Sequence, residues 1–315
     1  MAFPTRTTVL NTFASATAEN RRPDLIDNFF TAAPLVVRLK NKHKVTLRGG
    51  SEIQVVHVYA GTTASSYGRG DEFDTQVREH STALRFDWKH TYAPVNLDVI
   101  EVELNDTPDA VFDLVDAAME VGEMSLIDEL SEQIYGDGTG NAGKDIDGLA
   151  IAVSRTGTYG GLARGTDAQG SSIRAGVENT TGGVLSLSGL NSGFGSLIYG
   201  KKRPDLAVTT QALWNRIWDR SQPSERNVPE SRRDIGFDVV RFNGMDVVVD
   251  PHCPSGFLYM LNTDFFEWFA HRKWDMRFRG FMEPVQQQRM VGQLIFWSQL
   301  VCRGPRFQGV LSGLS

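Results

Sequence analysis

Residues 108–135 read as one helix of about 28 residues, roughly 42 Å long at the helical rise. Thr107 can cap it, Pro108 takes the first helical position, and Asp109 sits at the positive end of the dipole. Val111, Leu114, Val115, Ala118 and Val121 fall on one stripe, which Ile127, Leu130 and Ile134 continue, and Gly136 stops the helix. A helix of this length is unusual in a compact domain and suits an elongated subunit. Its charge restricts it further. Between Asp109 and Tyr135 there are eight acids and no Lys or Arg. Asp109/Asp113, Asp116/Glu120 and Asp128/Glu132 are like-charged pairs one turn apart, and each costs an isolated helix about 0.2–0.5 kcal/mol. Such a helix needs positive charge from elsewhere.

That need agrees with how charge is spread along the chain. From His90 to Gly143 there are thirteen Asp and Glu and no Lys or Arg, whereas His271 to Arg306 holds seven Lys and Arg against two acids. Segregation of this kind suggests complementary surfaces that meet, within a subunit or between subunits. Candidate partners for Asp113, Asp116, Glu120 and Glu123 on the helix are Arg69, Arg78 and Arg85 upstream, with Arg277, Arg279 and Arg289 in the basic C-terminal third. The net charge of −6 argues against a surface that grips nucleic acid throughout.

Around the helix the elements are of several kinds. Residues 1–23 are rich in Thr, Ala and Asn and read as an extended arm, and a short helix is expected over Asp24–Phe30. From Val45 to Leu104 the pattern is strand-like. Glu52–Tyr59 and Thr82–Lys89 flank a polar, glycine-rich tip, Gly61–Gly70. A hairpin with so few large apolar residues is marginal in water by itself, so it must rest on another surface. Seventeen of the 31 glycines lie between Gly136 and Gly200, where long loops are expected. Pro204–Thr209 reads as a buried strand and Gln211–Trp218 as a helix packing Leu213, Trp214, Ile217 and Trp218. Ser221–Asp234 reads as an exposed loop. Phe237–Phe242 and Met245–Val249 bracket Asn243-Gly244, a strong two-residue hairpin signal. Phe257–Leu261 and Leu294–Val301 read as further strands. No apolar run approaches 18 residues, so no membrane span is expected. The N-terminus lacks the basic-then-apolar build of a signal peptide. Two cysteines, Cys253 and Cys302, make no disulfide framework or metal-ligand spacing, and a reducing cytoplasm fits them.

Residue types able to carry chemistry do not form a site. Gly138–Lys144 (GTGNAGK) matches the first seven positions of the phosphate-cradling loop G-x-x-x-x-G-K-S/T. The glycines follow a helix C-terminus, the negative end of a dipole, where a phosphate loop precedes a helix N-terminus. The eighth position is Asp145, whose carboxylate would repel a triphosphate. Asp137, Asn141, Asp145 and Asp147 suggest a calcium loop but lack its sixth-position glycine and closing glutamate. The histidines show no metal-binding pairing, and His252 beside Cys253 has no nucleophile context. The expectation is a protein that is no enzyme, with no cofactor and no metal.

The ordered set of features resembles the Hong Kong 97 phage fold of major capsid proteins, an α+β fold. The resemblance rests on Trp88–Val95 (WKHTYAPV), Met124–Asn141 (MSLIDELSEQIYGDGTGN), Ile146–Leu149 (IDGL), Gly157–Arg164 (GTYGGLAR), Pro204–Thr210 (PDLAVTT) and Gly304–Phe307 (GPRF), and spans nearly the whole chain. It implies an N-terminal arm (1–23), the start of a peripheral P domain (24–40) and an extended E-loop (41–91). P domain with a spine helix at 108–135 would follow (92–145), then an axial A domain (146–280) and a C-terminal return to the P domain (281–315).

The family further implies a major capsid protein, located in the virion and assembled in the bacterial host cytoplasm. Hexamers and pentamers of this chain would close an icosahedral shell around double-stranded DNA without sequence-specific binding. A separate scaffolding protein and a portal are implied, the former because only about 23 residues precede the fold. Some relatives cross-link through an E-loop lysine. Residues 45–88 contain none, so covalent cross-linking is not expected. The alternatives are an encapsulin-type compartment of the same fold and a P-loop nucleotide-binding enzyme.

Overall fold

The structure, a computed structural model, describes residues 34–62, 64–73, 75–104, 108–180, 182–221, 240–284 and 289–314. The expected arm, the helix at 24–30, the Thr107 cap and the loop 222–234 lie outside the described residues. Among those described, no helix is long and apolar enough to cross a membrane.

The long helix runs from Pro108 to Gln133. Its buried stripe is Val115, Met119, Gly122, Leu126, Leu130 and, just past its end, Ile134, at steps of three and four. Val121, expected on that stripe, is 64% exposed. The contact is made by its neighbour Gly122, where a Cβ would stand 2.8 Å from Val95 Cγ2. Glycine lets the helix backbone lie close on the sheet, and this turns Val121 outward.

Beneath the helix lies a five-stranded sheet. Strand β1 (Lys44–Leu47) follows a helix over Pro34–His43. Strands β2 (Glu52–Val58) and β3 (Ser81–Asp87) form the hairpin, and β4 (Lys89–Asp98) continues from it. Ala93, Val95 and Leu97 of β4 alternate into the core. The strand-like reading to Leu104 needs correcting. Asp98 Oδ1 accepts the Ile100 N–H at 3.0 Å, and Val99–Leu104 turns into a short helix.

The middle of the chain supplies β5 (Thr158–Tyr159), β6 (Leu162–Ala163), β7 (Val177–Asn179), β8 (Leu206–Thr209), β9 (Val240–Phe242), β10 (Met245–Val249) and β11 (Leu258–Leu261). The remainder supplies β12 (Phe266–His271), β13 (Arg277–Met282), β14 (Arg289–Cys302) and β15 (Gly309–Leu311). β14 is the centre of the first sheet. It pairs antiparallel with β4 from Arg289↔Asp98 to Ser298↔Lys89, and its other edge holds β13 and then β12, which carries β1 in parallel. A second, six-stranded sheet has the order β7-β15-β11-β8-β10-β9. Leu206, Ala207 and Val208 are buried, and helices Leu187–Leu197 and Gln211–Ser221 pack in the cluster beside them. Leu213, Trp214 and Ile217 are buried as expected, but Trp218 is 37% exposed and stacks on Trp214 at 5.6 Å. Asn243 (φ 49°) and Gly244 (φ 84°) make the expected two-residue turn.

The chain passes between the two sheets more than once. β12 and β13 belong with β14 in the first sheet, and β15 returns to the second. The cause is β14, whose fourteen residues are long enough to pair with two successive strands on one edge.

Candidate assembly surfaces

The hairpin has two unlike faces. Ile53, Val55 and His57 of β2 and Leu84 and Phe86 of β3 are buried. They lie on the segment around residues 157–173. Phe86 meets Tyr159 edge-on at 5.1 Å, Gly160 O accepts the Arg85 N–H at 3.0 Å, and His57 Nε2 is 2.8 Å from Ser172 Oγ. Burial holds the His57 pKa below its ordinary value. Gly160 has φ 56°, and a Cβ there would stand 2.9 Å from Leu84. The hairpin therefore rests on its own chain at the base, and the seat is built to fit it. The opposite face and the tip have no such cover. Val56, Val58 and Val77 are exposed, as is the Tyr67–Phe73 pair, whose rings pack edge-on at 5.0 Å.

The seat is held by a buried guanidinium that the sequence reading did not single out. Arg164 donates from Nε to Ile173 O at 2.9 Å, from Nη1 to Thr156 O at 3.1 Å and from Nη2 to Ala152 O at 3.2 Å. It also lies 5.0 Å over the Tyr159 ring, whose hydroxyl accepts the Cys302 N–H at 2.7 Å. One side chain thus closes a glycine-rich loop, and its neighbour anchors that loop to β14. Only the motif GTYGGLAR signalled it. Asp147 and Gln299 make a second tie, with Asp147 N donating to Oε1 at 3.1 Å and Gln299 Nε2 donating to Asp147 Oδ2 at 2.8 Å. Burial raises the Asp147 pKa, and Lys89 and this amide oppose that rise.

The residues proposed to pair across surfaces are placed as follows. Arg69 is exposed at the hairpin tip, Arg78 is exposed below it, and Arg85 points outward from β3. Arg277 lies 5.7 Å over the Trp274 ring, Arg279 is exposed where the β13–β14 register shifts, and Arg289 starts β14 opposite Asp98. On the helix, Glu123 is 6% exposed, and Asp116 and Glu120 are half-buried. All three are engaged within the chain. The Asp113 side chain lies outside those described. Asp128 Oδ1 lies 3.2 Å from His252 Nε2, a contact between segments far apart in sequence. Glu129 accepts the Gln133 Nε2–H at 2.8 Å.

The chemical candidates resolve into turns and core. Within GTGNAGK, Asn141 and Ala142 have φ of 49° and 59°, a left-handed turn. The Gly143 and Lys144 N–H groups donate to Thr139 O and Gly140 O, and Gly143 O accepts Lys89 Nζ at 2.6 Å. Those amides close the turn and do not converge on a phosphate. Asp137 accepts Thr139 N at 3.0 Å and Oγ1 at 2.6 Å, which lowers its pKa, and Asp145 accepts Asn141 Nδ2 at 2.7 Å. Among the described residues, no group of three or more His, Cys, Asp or Glu is arranged to hold a metal. Burial pushes the thiols of Cys253 and Cys302 up to about 12, so neither is a thiolate nucleophile near neutral pH.

No family model and no curated protein matches the chain. Solved structures do match. A cyanophage A-1(L) capsid chain superposes with a TM-score of 0.72 at 14% identity, over 90% of this chain and 93% of that one. The capsid of a native GTA particle gives 0.62 at 9%, over 87% and 88%. The holo-SrpI encapsulin from Synechococcus elongatus gives 0.54 at 11%, over 89% and 87%. The fold is the Hong Kong 97 phage-like capsid fold.

Proposed function

We propose that this chain is the major capsid protein of a tailed bacteriophage, which assembles into the hexamers and pentamers of an icosahedral shell around double-stranded DNA. One observation carries the reading: the fold likeness to a phage capsid chain covers 90% of this chain and 93% of that one. A hairpin whose base is seated while Val56, Val58, Tyr67, Phe73 and Val77 stand exposed on its outer face and tip supports it. The chain then acts as a structural protein of the virion and not as an enzyme. Its partners are copies of itself, with a separate scaffolding protein and a portal.

Residues 41–91 serve as the E-loop and 108–135 as the spine. Strand pairing supports a P domain that includes β12, β13 and β14, and an A domain built on the six-stranded sheet that regains the chain at β15. Arg69, Arg78, Arg85, Arg277, Arg279 and Arg289 serve contacts between subunits, a role that their exposure supports.

A second reading, a compartment enclosing protein, draws support from the encapsulin likeness. Electron microscopy of the expressed chain, with the nucleic-acid content of purified particles, decides between them. Closed shells that take up DNA are expected. Shells that hold protein and exclude DNA favour the second reading, and a chain that forms no particles overturns both.

A further inference from the structure

The chain crosses between the two sheets at two neighbouring turns, Thr263–Phe265 and Pro305–Phe307, with Phe265 stacked on Phe307 at 4.3 Å. Beside them is a turn closed by Tyr199 N to Lys202 O at 3.0 Å and Lys202 N to Tyr199 O at 3.1 Å. Rings and cations alternate across this surface. Lys202 Nζ lies 5.3 Å over Phe265, Tyr199 packs against Phe307 at 6.4 Å, and the Arg306 guanidinium lies 4.7 Å over Tyr199. Tyr199 is 61% exposed.

Lys201, Lys202, Arg203, Arg303 and Arg306 are all exposed here. The acids in residues 199–203, 263–267 and 303–307 are Asp264 and Glu267, which pair with Lys202 at 3.8 Å and Arg303 at 2.7 Å. Five cations against two acids leave three positive charges over, in a chain whose net charge is −6.

We propose that this basic–aromatic surface binds the phosphate backbone of double-stranded DNA, an inference that rests on the shell reading above. A guanidinium lying over a ring keeps its N–H edge free to donate to a phosphate. Contacts to the rings also hold the cations in place before binding, which reduces the entropy lost on association. Carboxylates on a second copy are the competing ligand. On the spine, Asp116, Glu120 and Glu123 are engaged in their own chain and Glu129 takes Gln133, which leaves Asp128 and Glu132 as its exposed carboxylates among the described residues. Phosphates, dense along a duplex, are the better match.

The test is fluorescence anisotropy of a short labelled duplex with the full chain, at a series of salt concentrations, with shells scored separately by microscopy. Lys201→Gln, Lys202→Gln and Arg306→Gln together should weaken binding at low salt at least about tenfold. They should flatten the slope of log K against log salt by about two to three, since each phosphate contact contributes about 0.9. Arg272→Gln with Lys273→Gln, exposed cations on another turn, should change binding little. Duplex binding that the triple variant leaves unchanged overturns the proposal. So does a triple variant that loses shells but keeps duplex binding, which would make the surface a contact between subunits. A wild-type chain that forms shells but binds no duplex also overturns it and leaves the shell reading standing.

Discussion

The chain holds two hairpins built on opposite plans. The β9–β10 hairpin closes in two residues, Asn243 and Gly244, both with positive φ, so that its turn sets its register. Its neighbours Met245 and Val247 are fully buried in the six-stranded sheet. The β2–β3 hairpin pairs from Glu52↔Asp87 to Val58↔Ser81 and then opens into a tip over residues 59–80. One is completed by its own subunit. In the other, Ile53, Val55, Leu84 and Phe86 are covered, while Val56, Val58, Tyr67 and Phe73 are bare. Covering an apolar side chain of this size contributes about 1.5–3 kcal/mol, so the bare set can yield several kcal/mol to a partner. Local closure gives stability, and a long uncovered tip gives reach.

The largest expected effect comes from cutting the reach. Replacing Gly61–Gly70 with a two-residue turn should abolish shells in particle counts by microscopy while leaving the melting temperature near that of the wild type. A large loss of melting temperature would show that the tip also serves the subunit's own fold.

Next comes the seat of the same hairpin. Gly160→Val puts a side chain against Leu84 and Phe86 from a left-handed backbone, and should lower stability by about 1–3 kcal/mol in a urea titration. An unchanged midpoint would mean that the base is as loose as the tip. In the short hairpin, Gly244→Ala should cost about 1 kcal/mol at φ 84° and leave shells intact.

The smallest effect per site is electrostatic. Arg69→Glu or Arg78→Glu should weaken assembly by about 0–1 kcal/mol per contact, multiplied over a shell. Assembly followed by light scattering should fall with added salt, because the screening length drops from about 10 Å at 0.1 M to about 3 Å at 1 M. Reversal of both arginines without change in assembly or its salt dependence would remove them from the interface.

What the sequence revealed follows the range of each interaction. The strands expected at Glu52–Tyr59 and Thr82–Lys89, the Asn243-Gly244 turn and the long helix rest on local patterns, and each appears within two residues of its expected bounds. Val121 was misplaced because an apolar residue at nearly the right angle outweighed a glycine, although Gly122 makes the closer contact. The sheet membership of β12 and β13 was not legible, since it depends on which part of β14 each strand meets. The same applies to the surfaces. Six arginines could be recognised as exposed cations, but not their partners. The Asp128–His252 contact and the surface joining Tyr199, Lys202, Phe265, Arg306 and Phe307 draw on segments far apart in sequence.

The most direct test of the central claim is a cryo-electron microscopy reconstruction of assembled shells, read at residues 59–80. Ordered density for the tip is expected to lie on a neighbouring subunit, with Val56, Val58, Tyr67 and Phe73 covered. Closed shells in which the tip projects into solvent and touches no neighbour would contradict it.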